Sequence, residues 1–220
     1  SWQYHAKFSG ILKKIGFQQC RSDPCLFHRK DEAGICVVLT YVDDNLCVGN
    51  PQALRKVCKQ VVEEGLEITI EKELTDYLSC EIKFDEGRTK AWIGQPHMVK
   101  KIETMFGEEV SKKQVCRTPG TPGLGLVKIQ SEEEKVSPEK HSRYRTGVGM
   151  LLYLIKHSRP DMANAVRELS KVLDGPNESA YKEMLRAIKY MIDTKSRGLR
   201  VCPVVKEALK WILLLYTDSE

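Results

Sequence analysis

The sequence has no hydrophobic run long enough to cross a bilayer; the longest apolar stretch near its C-terminus, Trp211 to Tyr216, is only a fraction of a membrane span. It opens at Ser1 without Met and without a signal-peptide pattern, so the expectation is an intracellular, non-secreted piece of a longer product with no membrane partner. No Cys-x-x-Cys is present among the eight cysteines, and Cys20-x4-Cys25 has no matching His or Cys pair at zinc-finger spacing. A structural zinc site is therefore not expected, and Cys36, Cys47, Cys58 and Cys80 read as small apolar-pattern residues of a reduced protein. The glycines of Thr118-Pro119-Gly120-Thr121-Pro122-Gly123-Leu124-Gly125 follow no buried strand and lead to no Gly-Lys-Ser/Thr, and their prolines remove backbone donors. That excludes a phosphate-binding loop and leaves a flexible linker over residues 117–136.

What is present is an ordinary globular balance, 41% apolar and 30% charged over 220 residues, enough for one good core and a smaller one. The formal charge of +5 is unevenly spread: Lys140 to Arg200 holds thirteen Lys or Arg against six Asp or Glu. A charge run is ordinarily a solvated helix face. The segment Thr40-Tyr41-Val42-Asp43-Asp44-Asn45-Leu46-Cys47-Val48-Gly49 is the most informative, because it sets two adjacent carboxylates in the turn between apolar runs that read as buried strands. An isolated Asp-Asp pair usually marks a solvated turn. Within an apolar hairpin, adjacent acids repel and call for a counter-charge, which a divalent cation supplies.

Element signals fall in a consistent order. Trp2, Phe8, Ile11, Leu12 and Ile15 recur at helical spacing before Gly16. Strands follow over Cys25 to Arg29 and Ile35 to Val48, with residues 30–34 as their turn, and Pro51 to Glu64 reads as a helix with Leu54, Val57, Cys58, Val61 and Val62 on one face. Strand patterns resume at Ile68-Thr69-Ile70, Tyr77 to Phe84 and Ala91-Trp92-Ile93, with Asp85-Glu86-Gly87 as a turn. Gln95 to Phe106 reads as an amphipathic helix through Met98, Ile102 and Met105. Beyond the linker, three helical stripes run through Tyr144, Val148, Leu151, Leu152 and Ile155, then Met162, Ala165, Val166, Leu169, Val172 and Leu173, then Tyr181, Met184, Leu185, Ile188, Met191 and Ile192. Ser137-Pro138 and Pro160 open the first two, and Asp174-Gly175-Pro176 breaks the second. The fold class is α+β: an antiparallel sheet with packed helices followed by a mainly helical region.

Tyr41-Val42-Asp43-Asp44 in this hairpin resembles the metal-binding hairpin of reverse transcriptases, and the flanking motifs narrow the resemblance to copia-type LTR retrotransposons. Those motifs are Asp23-Pro24-Cys25-Leu26-Phe27, Tyr77-Leu78-Ser79-Cys80-Glu81-Ile82, Tyr144-Arg145 with Gly149 and Leu151-Leu152-Tyr153-Leu154, Arg159-Pro160-Asp161, Ala165-Val166 and Glu168-Leu169-Ser170-Lys171. In this order they are specific as a set and cover nearly the whole chain. The family usually carries Gly in place of Ser79 and a bulkier residue in place of Gly147, departures that suit a decaying element.

The resemblance implies a partial right-hand polymerase palm over residues 1–94, the start of a thumb and a linker over 95–136, a helical thumb and connection over 137–200, and the first strand of a truncated ribonuclease H domain over 201–220. It implies an RNA-directed DNA polymerase segment of a retrotransposon polyprotein that transfers nucleotides with two Mg2+ ions ~3.5–4 Å apart, Mn2+ being the alternative. Asp43 is then the direct ligand, Asp44 its neighbour, and Asp218 the first ribonuclease H ligand. A further catalytic Asp is expected upstream of Ser1, so this chain alone is expected to be inactive. Tyr41, Val42, Tyr77, Leu78, Ser79, Lys100, Lys101, Arg143, Arg145 and Arg159 become candidates for primer and template contact, and Lys140, Lys156, Arg167, Lys182, Arg186 and Lys189 for tracking a phosphate backbone. Implied partners are RNA template, DNA primer, dNTP and the remaining polyprotein domains: N-terminal palm and fingers, ribonuclease H and integrase. The implied location is a cytoplasmic virus-like particle, with a nuclear phase. The other function class the residues allow is a non-catalytic remnant that binds nucleic acid or a protein.

Overall fold

A computed structural model describes residues 2–42, 44–71, 73–128 and 135–202. It is mixed α and β with antiparallel sheets, as the α+β expectation requires, and divides into two compact units, Ser1–Lys72 and Glu73–Glu220. The hairpin near Tyr77 belongs to the second of these units.

In the first unit, α1 (Trp2–Lys14) and α2 (Pro51–Glu63) accompany a four-stranded antiparallel sheet in the order β1 (Gln18–Gln19), β2 (Leu26–Asp31), β3 (Gly34–Tyr41), β4 (Asp44–Gly49). The two-residue side-chain period puts Phe27, Cys36 and Val38 on the covered face, where they share a core with Phe8, Ile11, Leu12, Ala53, Val57 and Val61. Arg29 is buried on that face and spends its guanidinium on the Ile15 carbonyl (2.7 Å) and Gln60 (2.8 Å), beside Asp31 and over the Phe17 ring. Three expectations need correction here. Trp2 keeps the helical spacing but is 82% exposed, because the first turn of α1 projects past the core. Asp44 is the first residue of β4 rather than a turn residue, and β4 is largely exposed at the sheet edge rather than buried. Ile68-Thr69-Ile70 makes no strand: Ile68 packs against the core, Ile70 is exposed, and no ladder partner meets them among the described residues.

The second unit holds a sheet in the order β5 (Asp76–Tyr77), β6 (Cys80–Phe84), β7 (Ala91–Gly94), β8 (Leu199–Val201), with α3 (Pro96–Ser111), α4 (Pro138–His157), a 3-10 turn (Pro160–Met162), α5 (Ala163–Ser170) and α6 (Glu178–Asp193). Tyr77 to Phe84 is therefore a hairpin and not one strand. The loop after β6 runs to Lys90 and is organised by Asp85, whose carboxylate accepts from the Thr89 and Lys90 amides and the Thr89 hydroxyl. Helix α3 joins the other three helices in one core of Ile102, Phe106, Tyr144, Val148, Leu151, Leu154, Met162, Val166, Met184 and Ile188. Met105 and Leu152, expected in the stripes, lie at its rim and are exposed. Ser137 and Asn177 cap α4 and α6 by accepting from the amides three residues on. The expected linker is partly docked: Asp193 accepts from the Cys116 amide, and Glu183 from the Thr121 amide and hydroxyl.

Candidate functional site

Tyr41 and Asp44 pair across the strands, so the chain reverses in a tight loop that includes Val42. Loops of this length need left-handed backbone, and Val42 adopts φ 52, a conformation that β-branched residues rarely take. The tip is open to solvent: Tyr41 is 55% exposed, Val42 50%, and Asp44 is exposed. Asp43 lies outside the described residues. Paired residues share a sheet face, so Tyr41 and Asp44 lie on the face carrying Ile35, Val37, Leu39, Leu46 and Val48, opposite the core. That face is exposed or half-buried throughout, with an apolar floor and an acid at its end.

One step below, the Thr40↔Asn45 pair faces the helices. Asn45 donates to the Tyr4 hydroxyl at 3.0 Å, and Thr40 Oγ1 lies 3.4 Å from His5 Nδ1. Neither helix residue stood out in the sequence; only their i, i+1 position at the start of α1 hinted that both could reach one hairpin.

Asp44 is a hard oxygen donor of the kind Mg2+ or Mn2+ takes, but one carboxylate is a partial shell. Among the described residues no three His, Cys, Asp or Glu side chains converge to hold a metal ion. Asp218 lies outside the described residues, as does the strand expected from Leu209 to Ser219.

The second candidate turn is also strained. Tyr77 pairs with Cys80, and the loop residues Leu78 and Ser79 sit at φ 50 and φ 63. A Gly at either position would relieve this. Tyr77 and Leu78 are half-buried and Ser79 is exposed.

The basic candidates divide by partner. Lys100, Lys101, Arg145, Lys156, Arg167 and Lys182 are exposed and make no ion pair among the described residues. Arg143 is tied to Glu109 and to the Met105 carbonyl, against the Phe106 ring, and the Tyr181 hydroxyl donates to the same Glu109. Lys140 pairs with Glu178, Lys189 with Asp193, and Arg186 donates to Thr118. Arg159 is 2% exposed, forks onto both Asp161 oxygens at 2.9 Å and also reaches Thr194. Its guanidinium is an internal anchor with no face turned to a phosphate, which corrects its expected surface role. The clue was Asp161 two positions on, an acid at hand for a fork-shaped donor.

No helix among the described residues is long and apolar enough to cross a membrane. Over 199 residues, 87% of this chain, the sequence is 26% identical to the retrovirus-related Pol polyprotein from transposon TNT 1-94 of Nicotiana tabacum. Over 217 residues, 99% of the chain, it is 26% identical to the retrovirus-related Pol polyprotein from transposon RE1 of Arabidopsis thaliana. It spans 14% of the length of each of these relatives. The putative transposon Ty5-1 protein of Saccharomyces cerevisiae is 25% identical over 222 residues, and the match covers 67% of that protein. No family model and no solved structure matches the chain.

Proposed function

We propose that this chain, whose relatives along most of its length are retrotransposon Pol polyproteins, is a copia-type segment of an RNA-directed DNA polymerase, the part that carries the metal-binding aspartate hairpin. The observation that carries this reading is Asp44, the exposed carboxylate that opens β4 beside the strained Val42 turn, in a chain aligned along nearly its whole length with Pol polyproteins.

Asp43 and Asp44 would hold Mg2+, with Mn2+ as the alternative, through carboxylate oxygens. When bound, a pair of such ions lowers the barrier to nucleotidyl transfer by activating the primer hydroxyl and neutralising the leaving pyrophosphate. Tyr41 and Val42 present exposed apolar surface beside the carboxylate, suited to the primer end. The Tyr77–Cys80 turn offers Leu78 and Ser79 as a second primer contact. Lys100, Lys101 and Arg145, exposed and without an ion pair among the described residues, supply positive charge for a phosphate backbone. Arg143 contributes by bracing α4 against α3. The substrates in this reading are RNA template, DNA primer and dNTP, and a further catalytic carboxylate comes from another part of the polyprotein, as does the rest of the ribonuclease H domain opened by Asp218.

The test is primer extension on an RNA template by a polypeptide that extends this chain through its upstream neighbour in the polyprotein. Extension is expected to stop with a chelator, to return with Mg2+ or Mn2+, and to be missing from the 220-residue chain alone. Metal-independent extension, or robust extension by the isolated chain, contradicts the reading.

A further inference from the structure

We propose that Tyr4 and His5 are positioning residues for the aspartate turn, holding both strands of the hairpin one ladder step below its tip; this rests on the metal-binding reading of that turn. Asp44 pairs with Tyr41 on the face away from the helices, so no side chain of α1 or α2 on the covered face can steady its carboxylate directly. Any positioning must come through the next pair, Thr40↔Asn45, whose side chains point the other way. Consecutive residues of α1 take one member each.

Each contact is anchored in turn. The Tyr4 hydroxyl accepts from Asn45 Nδ2 at 3.0 Å, and its ring stacks on Phe8, a core residue, with centroids 5.8 Å apart. Thr40 is buried and directs its hydroxyl proton to the Cys25 carbonyl at 3.3 Å, so its oxygen is left to accept. His5 lies between two hydroxyls, its Nδ1 3.4 Å from Thr40 Oγ1 and its Nε2 3.4 Å from Ser9 Oγ one helical turn on, and the two contacts orient its ring plane. The far end of α1 is held separately, by Ile11 and Leu12 in the core and by Lys14 on Glu64 at 2.5 Å.

Val42 supplies the reason that a clamp is needed. A left-handed valine persists only where its surroundings over-determine it, and the tip itself is solvent-exposed and gives little support. With the Thr40↔Asn45 step pinned on both strands, β3 and β4 cannot slide or splay at their paired ends, and Asp44 keeps its place at the start of β4.

The test uses the full 220-residue chain with Tyr4→Phe, which removes one hydroxyl and leaves the ring packed. Amide hydrogen exchange at Tyr41 and Leu46 is expected to accelerate by about fivefold, the equivalent of one net hydrogen bond, while Val57 and Val61 in α2 keep their rates. Mn2+ affinity, read by electron paramagnetic resonance, is expected to weaken by about the same factor. Lys14→Gln, cutting the other tie of α1, should change neither. Unchanged exchange at the turn, or equal acceleration in α2, overturns the positioning role. An upstream-extended wild-type polypeptide that binds no Mn2+ while the local exchange effect persists overturns the metal reading and leaves the positioning intact.

Discussion

Ser79 and Leu78 occupy left-handed backbone with no glycine to make it easy. The two-residue loop between paired Tyr77 and Cys80 demands that conformation, and each L side chain there carries strain. Ser79→Gly should raise stability by about 1 kcal/mol in urea unfolding; a loss would mean that the hydroxyl is engaged. Asp161 gives a second residue-level outcome. Burial pushes its carboxyl up, but hydrogen bonds from Arg159 and Tyr190 outweigh that and hold it below the ordinary value of 3.8. A lowered folded pKa contributes stability that is present above the unfolded value and is lost as pH falls through the folded one. Asp161→Asn should therefore be less stable than wild type at neutral pH, by roughly 2 kcal/mol for a half-open pair. The gap should close as pH falls below about 4; a gap constant down to pH 2 would show that the charge of Asp161 does not matter. Asp161 two positions on is the one clue to this pairing, but a basic residue in a basic region looks the same whether it faces solvent or, like Arg159, is buried and forked onto a neighbouring, partly exposed acid. The Asp43-Asp44 pair stands out in the sequence through the apolar runs on either side of it, but those runs do not reveal that β4 is an exposed edge strand.

Elements whose signals are local matched expectation best. Ser137-Pro138 opens α4 through cap and first-turn chemistry, and the Asp174-Gly175-Pro176 break lies just ahead of the Asn177 cap of α6. Strand β8 escaped notice because its pairing with β7 joins segments far apart in sequence, and three residues carry no periodic signature of their own. Helical spacing located each stripe but not its width, so Leu152 and Met105 fall outside the core that Gly147 and Phe106 complete. Gly147 lets α4 lie close to α6 and α3: a Cβ there would come 2.5 Å from the Met184 sulfur and 3.2 Å from Phe106. The bulk that the resemblance leads one to expect at position 147 is supplied here by the Met184 side chain. Gly147→Leu should cost about 1–3 kcal/mol through overpacking despite better helix propensity. Adding Met184→Ala should recover part of that loss in a double-mutant comparison, since the two sites share one space. Additive losses would show that they do not.

At the scale of the molecule, the chain is two compact units, each with its own sheet and core. The overall class followed from the order of periodic segments, whereas the division at Lys72 did not, because it depends on which core each hairpin shares. The positive charge counted from Lys140 to Arg200 is partly internal: Arg143, Arg159, Lys140 and Lys189 answer carboxylates of the same unit, and Arg145, Lys156, Arg167 and Lys182 are left to solvent or a ligand. Composition cannot separate those groups; geometry does. In the first unit the Asp44 carboxylate stands exposed where β4 begins, at the end of an apolar sheet face. The most direct test of a metal-binding role for this hairpin is single-turnover primer extension on an RNA template by the extended polyprotein segment carrying Asp43→Asn or Asp44→Asn. Loss of a metal-ligand charge at either position should slow the chemical step by more than about 100-fold, with primer–template affinity unchanged; undiminished extension by both variants would contradict the assignment of this hairpin.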